Sequence, residues 1–165
     1  MPDDLISKME EAIHDLIKDA EQKARLRQSL TLPNDINTIP QLCEFIEGIC
    51  EELNLDMSIT MSLNLALEEA VVNVMEYAYP IGVQGEVTIE VIADETYLVF
   101  ILSDSGIPFD PTKKEEVDTT LSVEERSIGG LGIHLVREIM DSVDYEYRDR
   151  KNILTLSKKY NNYGY

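Results

Sequence analysis

Apolar residues recur with helical spacing in four stretches of the chain, and alternate or run together in five others. Residues 3–26 place Leu5, Met9, Ala12/Ile13, Leu16, Ala20 and Ala24 on one narrow stripe, which predicts an amphipathic helix. Residues 27–32 alternate loosely and end at Pro33, as suits an edge strand. Asn37-Thr38 is a cap for a helix over 39–53, with Leu42, Phe45, Ile46, Ile49 and Leu53 on its apolar face. Residues 54–56 break the pattern, and a second helix is predicted over 58–79, ended by Pro80 and Gly82. On it Leu63, Leu67, Ala70, Val71, Val74 and Ala78 share one face and form the expected core.

Two strands over 85–93 and 96–103, separated by Asp94-Glu95, read as a hairpin. A polar, acidic segment over 112–126 follows, then a glycine-rich start to a helix over 131–140. Strands over 143–149 and 152–159 turn near Arg150-Lys151. Strands joined by tight turns must run antiparallel, and the expectation is a two-layer α+β sandwich with helices on one face. The long N-terminal helix has three open roles: packing on the domain, pairing with a second copy, or joining a partner.

Composition narrows the function. With 14 Lys+Arg against 32 Asp+Glu the formal net charge is −18, while 44% of residues are hydrophobic. The apolar content predicts a folded core rather than an acidic disordered chain. Phosphate backbones and anionic lipid repel such a surface, so direct nucleic-acid and membrane binding are not expected. No apolar run approaches the roughly 18–20 residues of a membrane span. The N-terminus lacks the basic-then-apolar order of a secretory signal, and the expected location is the cytoplasm. Cys43 and Cys50 are seven residues apart on one helix, about 10 Å along its axis and too far for a disulfide. They read as two buried thiols, and neither they nor His14 and His134 have zinc-site spacing.

Three short patterns carry chemistry. Glu69, Asn73 and Glu76 line one strip of the second predicted helix. An amide oxygen is a hard ligand for a hydrated divalent cation, and a carboxylate one turn away can ligate it too or orient a nucleophile. Asp104 follows the apolar run 97–102 and precedes Ser105-Gly106. A carboxylate at a strand end only accepts hydrogen bonds, which suits an exocyclic amine such as adenine N6, and Gly106 lets backbone approach a flat ring. Gly129-Gly130-Leu131-Gly132 opens a helix, where bare N–H groups and the helix dipole favour phosphate. No third glycine makes it a Rossmann turn, and no Gly-Lys-Ser/Thr makes it a P-loop.

In this order, over about 65 residues, the patterns resemble the GHKL ATP-binding superfamily of gyrase, histidine kinases and mismatch-repair ATPases. Within it the likeness is to the anti-sigma-factor serine/threonine kinases that phosphorylate STAS-domain (anti-anti-sigma) proteins. The resemblance runs from about residue 29 to 159. It implies a Bergerat-type sandwich with a mixed, mostly antiparallel sheet, and a domain over 28–160 flanked by a helical extension (1–27) and a frayed tail (161–165).

Carried over by position, the resemblance implies that Asn73 ligates Mg²⁺ and that Glu69 is the general base. It implies that Asp104, with Gly106, meets adenine, and that Gly129, Gly130, Leu131 and Gly132 lie at the phosphates. It also implies a phosphate-side arginine at Arg126, with Lys113 or Lys114 as further cations. Tyr77 stands where the family often has His, and Glu115-Glu116-Val117-Asp118 makes the lid unusually acidic. The implied cofactors are ATP and Mg²⁺. The implied partners are a STAS-domain protein and a sigma factor, and family members are often homodimers. Two rivals stay open: an ATP-binding module that sequesters a partner without phosphotransfer, and a plain ATPase.

Overall fold

The computed structural model describes residues 2–113 and 129–160. Its elements are α1 (Pro2–Gln22), β1 (Leu26–Pro33), α2 (Ile39–Glu52), α3 (Met57–Tyr77), β2 (Glu86–Ala93), β3 (Tyr97–Asp104), α4 (Gly129–Ile139), β4 (Ser142–Arg148) and β5 (Lys151–Lys159), with single 3₁₀ turns at Ile36–Thr38 and Pro111–Lys113. The predicted order holds. The tail, the acidic lid run, Lys114 and Arg126 lie outside the described residues.

The five strands form one sheet in the order β1-β2-β3-β5-β4. Among the described residues all four ladders are antiparallel, and no parallel pair enters the sheet that the resemblance implied to be mixed. β1 lies at an edge, where the proline that ends it is tolerated. The alternation of β2 and β3 sends Val87, Ile89, Val91, Leu98, Phe100 and Leu102 to one face. There they meet the apolar stripes of α2, α3 and α4, including the predicted Leu63, Leu67, Ala70, Val71, Val74 and Ala78, all buried. A fully buried Leu, Ile or Phe side chain contributes about 1.5–3 kcal/mol, so this layer holds the domain together.

The cover is not confined to that face. α1 lies on the other side of the sheet, with Ile17 and Ala20 against Ile92, Val99 and Ile101. Of the three roles open to this helix, packing on the domain is the one observed. The outward side chains of β2 and β3 are Ile and Val where α1 sits, so leaving them wet would cost what the inner face gains. A polar contact completes the docking. His14 Nε2 lies 3.2 Å from Glu146 Oε2 and 3.2 Å from Arg148 Nη1, both residues on β4.

Local signals set most boundaries. Asp56 caps α3 by accepting from the Ile59 N–H at 2.9 Å, which starts the helix one residue before the expected Ser58. The expected cap at Asn37-Thr38 is replaced: Asp35 caps the 3₁₀ turn, and Thr38 makes no side-chain cap bond. The β2–β3 loop has three residues rather than two, because Asp94 Oδ1 accepts from both Thr96 N and Tyr97 N. The β4–β5 turn falls at Asp149 and Arg150, one residue earlier than expected. Both adopt positive φ (55° and 64°), the geometry of a two-residue I′ hairpin.

Candidate nucleotide and phosphotransfer site

α3 carries two of the expected residues, one turn apart. The predicted strip is not uniform in burial. Glu76 is exposed and Glu69 half-buried, but Asn73 is only 2% exposed. The Asn73 Oδ1 atom is buried and has no hydrogen-bond partner among the described residues. Leaving such an atom unpaired costs about 1–3 kcal/mol. An amide oxygen held this way, on a rigid helix, fits a hard divalent cation that accompanies a nucleotide. Glu69 has its pKa raised, first by burial and then by the carboxylates of Glu68 and Glu76. A carboxylate made more basic is a better proton acceptor near neutral pH.

The other end of the site is built on the sheet. Asp104 ends β3 and is 4% exposed. Its Oδ1 accepts from Gly106 N and from Asn152 Nδ2, each at 2.9 Å. Burial pushes the Asp104 carboxyl above its ordinary range, and these two bonds pull partly against that. Gly106 has to be glycine for a steric reason. A Cβ there would stand 2.2 Å from the Ala78 carbonyl oxygen, and the Ile107 N–H already donates to that oxygen at 2.8 Å. The Asp104-Ser105-Gly106 turn is thereby fastened to the C-terminus of α3. Tyr79 adds a second tie: its hydroxyl donates to the Glu86 carbonyl at 2.7 Å and accepts from Ser105 N at 3.2 Å.

Asn152 belongs to this candidate site, and sequence reasoning missed it. It sits on β5 directly across the ladder from Asp104. Its Nδ2 donates to Asp104 Oδ1 and, at 2.8 Å, to the Ile107 carbonyl. Its Oδ1 accepts from Phe109 N at 2.9 Å and from the Tyr145 hydroxyl. The carboxamide is satisfied on both ends, which fixes its orientation. The space beneath, between Val74, Leu102, Phe109, Tyr145 and Leu154, amounts to about 10 Å³, at the lower limit for one water. No signal in the sequence pattern gave it: β3 and β5 are separated by α4 and β4 along the chain, and only their pairing sets Asn152 opposite Asp104.

The two ends meet. Val74, next to Asn73, lines the same small cavity as Asp104, and α4 packs along α3. Tyr77, at the position often His in the resembled family, stacks on Phe109 with ring centroids 5.4 Å apart, so it braces the segment after Gly106. The helix expected from residue 131 starts earlier, so that all of Gly129, Gly130, Leu131 and Gly132 belong to the first turn of α4. Lys113 is exposed, and Arg137 Nη2 donates to the neighbouring Thr112 carbonyl at 2.8 Å. Arg126, expected at the phosphates, lies outside the described residues. Of the cysteines, Cys50 is buried but Cys43 only partly so; burial raises both thiols, which keeps them unreactive. No helix among the described residues is long and apolar enough to cross a membrane.

Comparison with known proteins shows the family. The model of the histidine kinase-like ATPase domain matches residues 32–158. The serine-protein kinase RsbW of Listeria monocytogenes serovar 1/2a is 31% identical over 113 residues, spanning 66% of this chain and 72% of that protein. The serine/threonine-protein kinase BtrW of Bordetella bronchiseptica is 27% identical over 96 residues, 58% of this chain and 68% of that one. A crystal structure of the RsbU and RsbW domains of Rv1364c from Mycobacterium tuberculosis matches with a TM-score of 0.58 at 15% identity, over 81% of this chain and 32% of that one, and speaks to the fold alone. This chain belongs to the histidine kinase-like ATPase domain family, within its RsbW-type serine-protein kinases.

Proposed function

We propose that the protein transfers the γ-phosphoryl group of ATP to a serine or threonine hydroxyl of a STAS-domain anti-anti-sigma protein in the cytoplasm, and so regulates a sigma factor by partner switching. The observation that carries this reading is the pairing on α3 of an orphaned, buried amide oxygen (Asn73) with a half-buried carboxylate of raised pKa one turn away (Glu69). A helix that only held ATP would need the first and not the second.

Asp104 accepts from the adenine N6 amine, and Asn152 and Gly106 hold its carboxylate in place. Asn73 would hold Mg²⁺ through Oδ1, and the bound ion would neutralise phosphate charge within a chain of net charge −18. The N–H groups of the first turn of α4, from Gly129 to Gly132, face phosphate oxygens, and Arg126 with Lys113 or Lys114 adds positive charge. Glu69 orients the incoming hydroxyl and takes its proton. The hydroxyl oxygen bonds to the γ-phosphorus as the bond from that phosphorus to the ADP oxygen breaks.

Single-turnover transfer from labelled ATP, run beside equilibrium nucleotide binding, tests the assignment. Glu69→Gln keeps shape but loses basicity, so transfer is expected to fall about 10²–10⁴-fold with ATP affinity nearly unchanged. Undiminished transfer would remove Glu69 as the base. A parallel fall in rate and affinity would make it part of the metal site. No transfer from the unaltered protein, with partner binding retained, would make it a sequestering module. Phosphate release without a protein acceptor would make it an ATPase.

A further inference from the structure

Three large apolar side chains stand in solvent on one helix: Met57 is 73% exposed, Met61 64% and Leu65 45%. They follow one another every four residues along α3, and Glu69 is the next member of the series. Each step of four turns the strip by about 40°. Glu69 therefore has Leu65 about 40° to one side and Asn73 about 40° to the other. The Asn73 side is buried and the Leu65 side is open. The carboxylate stands on the border between the nucleotide face and an exposed apolar stripe.

We infer that Met61 and Leu65, the end of the stripe next to Glu69, are the docking surface for the protein that carries the acceptor hydroxyl, and that they bring this hydroxyl to Glu69 from the side opposite Asn73. The inference rests on the kinase reading above. Its warrant is size and continuity. Leu65 lies about 6 Å and Met61 about 12 Å from Glu69 along the axis. A standard interface buries about 800 Å² on each partner, a patch of roughly 16 Å radius. A protein that presents a side-chain hydroxyl to Glu69 across this face reaches Leu65 and Met61, about 40° and 80° round the helix, while Met57, about 18 Å away and 120° round, lies beyond it.

Water as acceptor would need no such surface, and large exposed apolar residues are otherwise a liability in a soluble chain. The surroundings are acidic: Glu68 and Glu76 act on the Glu69 carboxylate, and Glu47 on α2 and Glu68 both act on the thiol of Cys43. The partner this surface fits has an apolar patch beside its acceptor serine or threonine and basic residues around that patch. Methionine, flexible and polarizable, adapts to such a patch.

The test uses the full chain and, as probe, purified STAS-domain proteins of its own organism, each carrying an acceptor serine or threonine. Met61→Gln, Leu65→Gln and the double variant keep helix propensity and add no charge next to Glu69. Each single change is expected to raise the KM for the acceptor protein about tenfold, and the double change more. The kcat at saturating acceptor and the ATP affinity should stay within about twofold. Calorimetric binding of the acceptor should weaken in step with KM. An unchanged KM in a double variant whose parent transfers phosphate overturns the inference. So does a homodimer, seen by light scattering, that the double variant dissociates without a change in acceptor KM. A parent that binds the probe without transfer, and a double variant that does not bind, would keep the docking surface and remove the kinase reading. A parent that neither binds nor transfers removes both.

Discussion

The two ends of the site are built in opposite ways. At the end proposed for adenine every polar group of the Asn152 side chain is paired, and Asp104 Oδ1 accepts two bonds. At the end proposed for phosphate Asn73 Oδ1 has no partner among the described residues, and Glu69 is half-buried beside Glu68 and Glu76. The first is a closed network that fixes shape; the second is left unsatisfied, to be completed by what binds. On the proposed reading, rigidity falls where a flat base is recognised and the unsatisfied group falls where charge is handled.

Breaking the closed end should cost most. Gly106→Ala forces a methyl group against the Ala78 carbonyl, and something must shift because the clash is with backbone. A loss of about 3 kcal/mol in stability is expected, with ATP binding lost alongside, read by denaturant unfolding and calorimetry. Unfolding at the parent's midpoint would show that the turn is not fastened to α3.

Asp104→Asn separates recognition from stability. The substitution turns a donor towards the adenine amine, so ATP affinity should fall by roughly 1–3 kcal/mol. The ligand-free chain should melt no lower. The folded-state pKa of Asp104 is raised, so its ionised form is disfavoured by folding. That group costs stability above its folded pKa, and the cost disappears as pH falls through it towards the unfolded value of 3.8. The amide removes the cost at neutral pH. A melting temperature several degrees below the parent's would contradict this sign.

Asn73→Ala sharpens the contrast from the open end. Removing a buried amide whose Oδ1 has no partner among the described residues should cost the ligand-free protein little stability. The gain in ATP affinity that Mg²⁺ gives over EDTA should disappear. Equal enhancement in parent and variant would reject Asn73 as the ligand. Tyr145→Phe is the mildest change, removing one hydroxyl from Asn152 Oδ1, which keeps its bond from Phe109 N. About 1 kcal/mol of stability is expected to go, with a comparable loss of ATP affinity through a looser Asp104. A change in affinity above tenfold would mean that Tyr145 touches the nucleotide directly.

The sequence by itself determined the element order, the hairpins, the inner core of α3 and the positions of Glu69, Asn73, Asp104 and Gly106. These depend on spacing along the chain: a helix repeats every 3.6 residues, a strand every two, and a short turn leaves its strands no choice but antiparallel. What only the tertiary structure decided depends on contacts between segments far apart in sequence. Asn73 and Glu76 flank Glu69 on one strip, about 40° to one side and about 20° to the other, and only the packing of α3 decides that the Asn73 side is buried and the Glu76 side open. Asn152 became a site residue only when β5 fell beside β3, a register that periodicity does not encode. The docking of α1 on the far face was open for the same reason. Its stripe needs an apolar partner, and that partner, Ile92, Val99 and Ile101, exists only once β2 and β3 have paired.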